Sequence, residues 1–244
     1  MAGSPERIDF EFRLDHRLPA VANGRGSSPD PLRFIFSLSD WDYCMKHLAL
    51  LGDSIFDNAA YVAGAPAVID QVRKNLPIGW QASLLAVDGS VAIDVIDQIK
   101  RLPASVTHLV LSVGGNDALG ALEQLHAPKP LRVMEALKLL ADIQARFEAA
   151  YAQVIAAALA TKKPLLICAV YNQVPGLTPE LRTALSLFND VITQTAAQRG
   201  IPVLDLRTIC TEVSDYSAVS PIEPSASGGE KIARRLIDVV LTLP

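Results

Sequence analysis

Ser54 is the residue best placed for chemistry. It closes the run Leu48-Ala-Leu-Leu-Gly-Asp-Ser54, in which an apolar stretch stops abruptly at Gly52-Asp53-Ser54. A buried strand there would deliver a hydroxyl to a strand end, and open α/β sheets bind ligands at the carboxyl ends of their strands. A serine so placed is a candidate nucleophile for acyl transfer. The competing reading is a helix N-cap. Two more groups follow the next two apolar runs: Asp88-Gly89-Ser90 and Gly114-Gly115-Asn116-Asp117. Backbone N–H groups at Ser54 and Gly89, with the Asn116 amide, could donate to a developing oxyanion. Glycine at 89 would let a substrate oxygen approach the backbone. Each group alone is an ordinary turn signal. Together they are more specific, because all three directly follow consecutive strands. After the last strand and a loop comes Ser220-Pro-Ile-Glu223-Pro-Ser225.

The elements that must position these residues alternate. Short apolar runs at 47–51, 82–87, 108–113, 165–170 and 203–206 read as strands buried on both faces. Helical stretches at 67–75, 91–100, 131–160, 179–198 and 229–243 separate them. The longest has an apolar stripe at Val133, Leu137, Leu140, Ile143, Phe147, Tyr151 and Val154, the three-and-four spacing of one helix face. Gly200 is a helix stop, and Pro202 marks the next strand entry. The order predicts a parallel sheet with helices on both faces. Every strand then ends on one edge, where the candidate residues converge. The segment 117–130 reads as a loop.

Residues 1–44 differ from the rest. They hold five arginines and no lysine, with Ala-Asn-Gly-Arg-Gly-Ser-Ser-Pro-Asp-Pro at 22–31. They read as an appendage or upstream-start extension, with the domain beginning at Met45. The rival is a genuine N-terminal arm docking through Phe34-Ile-Phe36 and Trp41-Asp-Tyr43.

The 244 residues, half of them apolar and a fifth charged, suit one globular α/β domain. A net charge of −4 lacks the basic face that nucleic acid requires. No apolar run approaches the ~20 residues of a membrane helix, and the N-terminus lacks a secretory apolar core. Cys44, Cys168 and Cys210 form no disulfide or metal pattern, so they read as reduced thiols in a cytoplasmic protein. Cys168, in a predicted strand, reads as core. The loop after strand one lacks both Gly-rich phosphate signatures, which weakens a nucleotide-binding reading.

These blocks resemble the SGNH/GDSL hydrolases over about residues 46–240. Gly52-Asp53-Ser54-Ile-Phe-Asp-Asn58 is similar to the first block, Gly89 to the second, and Gly115-Asn116-Asp117 to the third. Phe188-Asn189-Asp190 and Val203-Leu-Asp205 also resemble family positions. The resemblance implies a three-layer α/β/α sandwich with a five-stranded, flavodoxin-like parallel sheet. It implies hydrolysis of an ester or related acyl bond, Ser54 as nucleophile, Asn116 as oxyanion donor, and no metal or organic cofactor; the expected partner is a small-molecule ester substrate. The last block departs from the family's Asp-x-x-His. Ser220 stands in the aspartate's place and Glu223 in the histidine's.

Two candidates could replace the missing base. Glu223 starts about two pKa units below histidine, and burial can recover most of that deficit. It is either a slow base or a loop anchor that accepts backbone N–H groups. His126 follows the third block on the correct sheet edge, and Asp215 could orient it or bond the last loop. His47 and His108 sit at strand starts on the wrong edge, and His16 lies in the N-terminal segment. Asp53, beside Ser54, reads as a loop anchor. The leading expectation is a serine esterase of low or specialised activity. The alternative is a catalytically silent module that binds an acyl or acetylated-sugar ligand. The sequence sets no oligomeric state.

Overall fold

Strand β1 (Lys46–Gly52) shows how the core is divided. Its Leu48 and Leu50 enter one apolar cluster, while Ala49 and Leu51 enter another. This is the period of two expected when both sheet faces are covered. β3 (His108–Ser112) and β4 (Leu165–Ala169) alternate in the same way: Val110, Leu166 and Cys168 on the first face, Leu109, Leu111 and Ile167 on the second. With β2 (Trp80–Leu84) and β5 (Val203–Asp205) they make a five-stranded sheet in the order β2-β1-β3-β4-β5. All four pairings are parallel. The structure is a computed structural model and describes residues 45–125 and 131–244. The N-terminal segment 1–44 and His126 lie outside the described residues.

Helices α1 (Val68–Asn75) and α6 (Ala226–Val240) cover the first face. Helices α2 (Val95–Lys100), α4 (Val133–Ala160) and α5 (Pro179–Arg199) cover the second. The three-layer sandwich expected from the alternation is therefore present. α5 starts at a Thr178 N-cap with Pro179 behind it and stops at Gly200 in the left-handed region.

Three sequence expectations need correction. The segment after β3 is not a loop: α3 spans Gly115–Leu125. Its glycines and Asn116 read as a turn, yet only Gly114 turns, at φ +121. The apolar stripe of α4 also does not bury throughout. Ile143, Phe147, Tyr151 and Val154 are core, while Val133 and Leu137 are exposed at 75% and 52%. Finally, α6 begins at Ala226, earlier than the glycine pair suggested, because Ser225 caps it by accepting from the Gly228 amide at 3.1 Å.

Candidate active site

The Ser54 turn is set by a close approach at the end of β1. A Cβ on Gly52 would lie 1.7 Å from the Ser112 carbonyl oxygen, and its φ is +123. Only glycine fits there. The next amide, Asp53 N–H, donates to that same carbonyl at 3.1 Å, so β3 holds the turn. Residues 54–56 form a turn and no helix begins at Ser54, which removes the N-cap reading. Asp53 anchors the turn as expected, its Oδ1 accepting from Ile55 N–H at 3.1 Å.

A buried amide ties this turn to the next loop. Gln98 on α2 accepts from Gly52 N–H at 2.7 Å and donates to the Gly52 carbonyl at 2.8 Å. Its Nε2 also reaches Ser90 Oγ at 3.3 Å. The Ser90 carbonyl in turn accepts from Asn116 Nδ2 at 3.0 Å. The asparagine amide carries two hydrogens, and among the described residues only this one is engaged. Asn116 stands in the first turn of α3, whose leading N–H groups and dipole favour negative charge. Asp117 fixes that helix start by accepting from Ala92 N–H at 2.9 Å. Its position in the first turn was the available sequence signal for α3.

Glu223 is carried by a loop pinned through its backbone. Glu223 N–H donates to the Ser220 carbonyl at 2.9 Å, and its own carbonyl accepts from Ser217 N–H at 2.8 Å. Asn58 Nδ2 donates to the next carbonyl, Pro224, at 3.0 Å, and Tyr171 Oη donates to the Ile222 carbonyl. Asp215 bonds the start of the same loop. Its carboxylate accepts from the Thr211 and Glu212 amides at 3.0 Å and pairs with Lys231 Nζ at 2.6 Å. A Cβ on Gly228 would stand 2.1 Å from the Asp215 carbonyl oxygen, so glycine there lets α6 dock against the loop.

The Glu223 side chain is consequently not the loop's anchor. It is buried beside Ser54, and its Oε2 has no hydrogen-bond partner among the described residues. Burial raises its pKa above the usual carboxylate value, and a hydrogen bond from Ser54 partly opposes this. Burial also pushes the Asp53 carboxyl up to about 8; the Ile55 amide opposes this, and the nearby Glu223 and Asp117 charges add to it.

Ser54, Asn116, Glu223 and Asp53 line one cavity together with α3, α4 and α5. Gly89 does not line it. It lies in the exposed turn one residue before Ser90, at φ +80, with open space where a Cβ would point. Its glycine serves the backbone conformation, and its link to the site runs through Ser90. No histidine lines the cavity among the described residues. His47 bonds Ser105 and Ser83 at 2.9 and 2.8 Å, and His108 bonds Thr107 at 2.7 Å; both are buried. Cys168 and Cys210 are free and buried, and burial pushes the Cys210 thiol up to about 12, far from a reactive thiolate. Asn189 holds the end of β4 through the Val170 N–H and carbonyl at 2.8 and 2.9 Å. Among the described residues no three His, Cys, Asp or Glu side chains form a metal-type group, and no helix is long and apolar enough to cross a membrane.

Several solved structures with the same fold are lipases or esterases by title. The chain superposes on a lipolytic G-D-S-L family protein from Veillonella parvula with TM-score 0.60 and 17% identity, over 81% of this chain and 100% of that one. An extracellular lipase from Streptomyces rimosus gives 0.59 and 17%, over 82% and 100%. The aryl esterase of M. smegmatis gives 0.58 and 10%, again over 82% and 100%. No curated protein sequence matches the chain. At such identities these likenesses speak for the fold. The family is shown by the sequence itself: the profile of the GDSL-like lipase/acylhydrolase family matches residues 50–230, and the chain belongs to that family.

Proposed function

We propose that the protein is a serine esterase in which Glu223 takes the place of a histidine base. The observation that carries this reading is the Ser54 hydroxyl against a buried carboxyl whose second oxygen is unpaired. Ser54 Oγ attacks the ester carbonyl while its proton passes to Glu223. The negative charge moves from the carboxylate to the substrate oxygen, where an Asn116 amide hydrogen and the Ser54 amide receive it. Collapse breaks the bond to the leaving alkoxide, and the neutral Glu223 returns the proton to it. A water then repeats the sequence on the acyl-enzyme and releases the acid.

A carboxylate base suits this site because burial raises its proton affinity. It is also discharged in the tetrahedral intermediate, so it does not then repel the oxyanion. Asp53, held neutral up to about pH 8, adds no second charge below that pH.

The competing reading is a silent module that keeps the cavity. It draws on the absence of a histidine from the lining among the described residues. A fluorophosphonate probe separates the two. An activated serine is labelled at Ser54, and Ser54→Ala abolishes both labelling and p-nitrophenyl ester turnover, by at least ~10³-fold. Turnover unchanged in Ser54→Ala would refute the mechanism, and an unlabelled Ser54 would favour the silent module.

A further inference from the structure

Asp53 is a buried acid that the serine mechanism leaves unused. Its residue is 3% exposed and lines the same cavity as Ser54, Asn116 and Glu223. The charges it feels are those of Glu223 in the last loop and Asp117 in α3, both negative. Cys168 of β4 and Tyr171 also lie within its field, and burial keeps both neutral. No lysine, arginine or histidine lines the cavity among the described residues. A buried carboxyl without a cation takes up a proton rather than stay charged. The N-terminus of α3 favours the anion and is outweighed, since burial holds the proton up to about pH 8.

Geometry decides where that proton sits. Oδ1 accepts from Ile55 N–H at 3.1 Å, so the acid hydroxyl falls on Oδ2. Oδ2 lies 3.8 Å from where a Cβ on Gly115 would stand. Gly115 opens α3, lines the cavity and directly precedes Asn116. The hydroxyl is thus held against the helix end that carries the Asn116 amide. This side of the cavity has no donor from Gly89, which is absent from the lining.

We propose that Asp53 is a catalytic residue that donates, as a neutral carboxylic acid, a further hydrogen bond to the substrate's carbonyl oxygen, beside the Ser54 amide and Asn116. The proposal rests on the esterase reading for its transition state, but the donor would serve a bound carbonyl in a silent protein too. Hydroxyl-to-oxyanion bonds are among the shortest and strongest, and a carboxyl kept neutral by an apolar site can supply one. No bond to Asp53 forms. Its proton is back on Oδ2 when the carbonyl re-forms, and the Ser54 proton still passes through Glu223. The Ile55 amide fixes the carboxyl, so the donor is built into the nucleophile's own turn and is in place before charge develops.

The test combines kinetics with binding. With p-nitrophenyl acetate, wild-type kcat falls above about pH 8, where the hydroxyl is lost. Asp53→Asn puts a weaker amide donor in its place, keeps kcat within about tenfold and loses that alkaline limb. Asp53→Leu has neither donor nor charge, and near neutral pH it loses about 10²-fold in kcat with KM little changed. A role through charge alone gives no loss in the leucine variant. Calorimetry on Ser54→Ala reads the donor without turnover and decides the matter if leucine prevents folding. The neutral amide p-nitroacetanilide binds it about tenfold tighter near pH 6.5 than near pH 9.5, and the added Asp53→Asn change removes the difference. If the wild type cleaves no ester while the anilide binds in this way, the donor stands and the esterase reading falls. If Ser54 cleaves esters while Asp53→Leu keeps kcat within about twofold and anilide binding ignores pH, the donor is overturned and the esterase reading stands.

Discussion

The two sides of Ser54 are built differently. On the oxyanion side the partners are neutral and paired. Gln98 holds both backbone groups of Gly52 and reaches Ser90, and Ser90 holds Asn116. On the side of the proposed base the backbone is equally pinned, yet the Glu223 carboxyl keeps one oxygen without a partner among the described residues. A buried acceptor without a partner costs about 1–3 kcal/mol. In the proposed mechanism that cost falls where a proton must move and is avoided where donors need only stay still. Preorganised dipoles work by not reorganising, whereas a base works by having affinity to spare.

The sharpest way to break this contrast is to change the base. Glu223→Gln should lower kcat by about 10²–10⁴-fold with little loss of stability, because the loop is held by its backbone. The wild-type acid limb should lie above the ordinary glutamate pKa, since the base must be ionised and burial raises that pKa. Glu223→His should keep turnover and move the limb toward about 6.5. A pH–rate profile of the three proteins checks all of this; an acid limb unmoved in Glu223→His would remove Glu223 from the base role.

On the oxyanion side, Asn116→Ala should cost about 10²-fold in kcat with KM little changed, as read by steady-state kinetics. Gln98→Leu tests rigidity. It strips partners from both backbone groups of Gly52 and should destabilise by about 2–4 kcal/mol, with Tm lower by about 2–4 °C per kcal/mol in a thermal melt. A fall in kcat should accompany it, because the Ser54 turn and the Ser90 loop lose their common tie.

The smallest effect belongs to Asp53→Asn. The folded Asp53 pKa, about 8, lies above its ordinary value of 3.8. The folded state therefore holds the extra proton between those values, and stability falls as pH rises through that window. Asparagine keeps the acceptor for Ile55 and cannot ionise, so Tm of the variant should exceed wild type at pH 8 and match it near pH 4. The activity loss of wild type above about pH 8, where Asp53 gains charge beside the oxyanion, should disappear in the variant.

Much of the fold was legible because strands covered on both faces are short apolar runs, and runs at 47–51 and 108–113 admit few other readings. Ser54 and Asn116 were legible as positions because each follows a strand, and Glu223 because it stands where the resembling family carries its histidine. α3 was missed since Gly114, Gly115 and Asn116 carry turn propensity, and only packing of its later residues overrides that. Gln98 gave no signal: a glutamine on a short helix looks like a solvated one until β1 is laid against it. Asn58 likewise gains its meaning from Pro224, distant along the chain.

The sequence by itself determined the sheet, the edge at which the site gathers, and the serine there. Periodicity and strand ends are local properties, and parallel order follows from them. Only the tertiary structure decided the surroundings of Glu223. Its charge state and freedom depend on burial, on Ser54 beside it, and on a loop held by other residues. Those are relations between distant segments, and no local pattern encodes them.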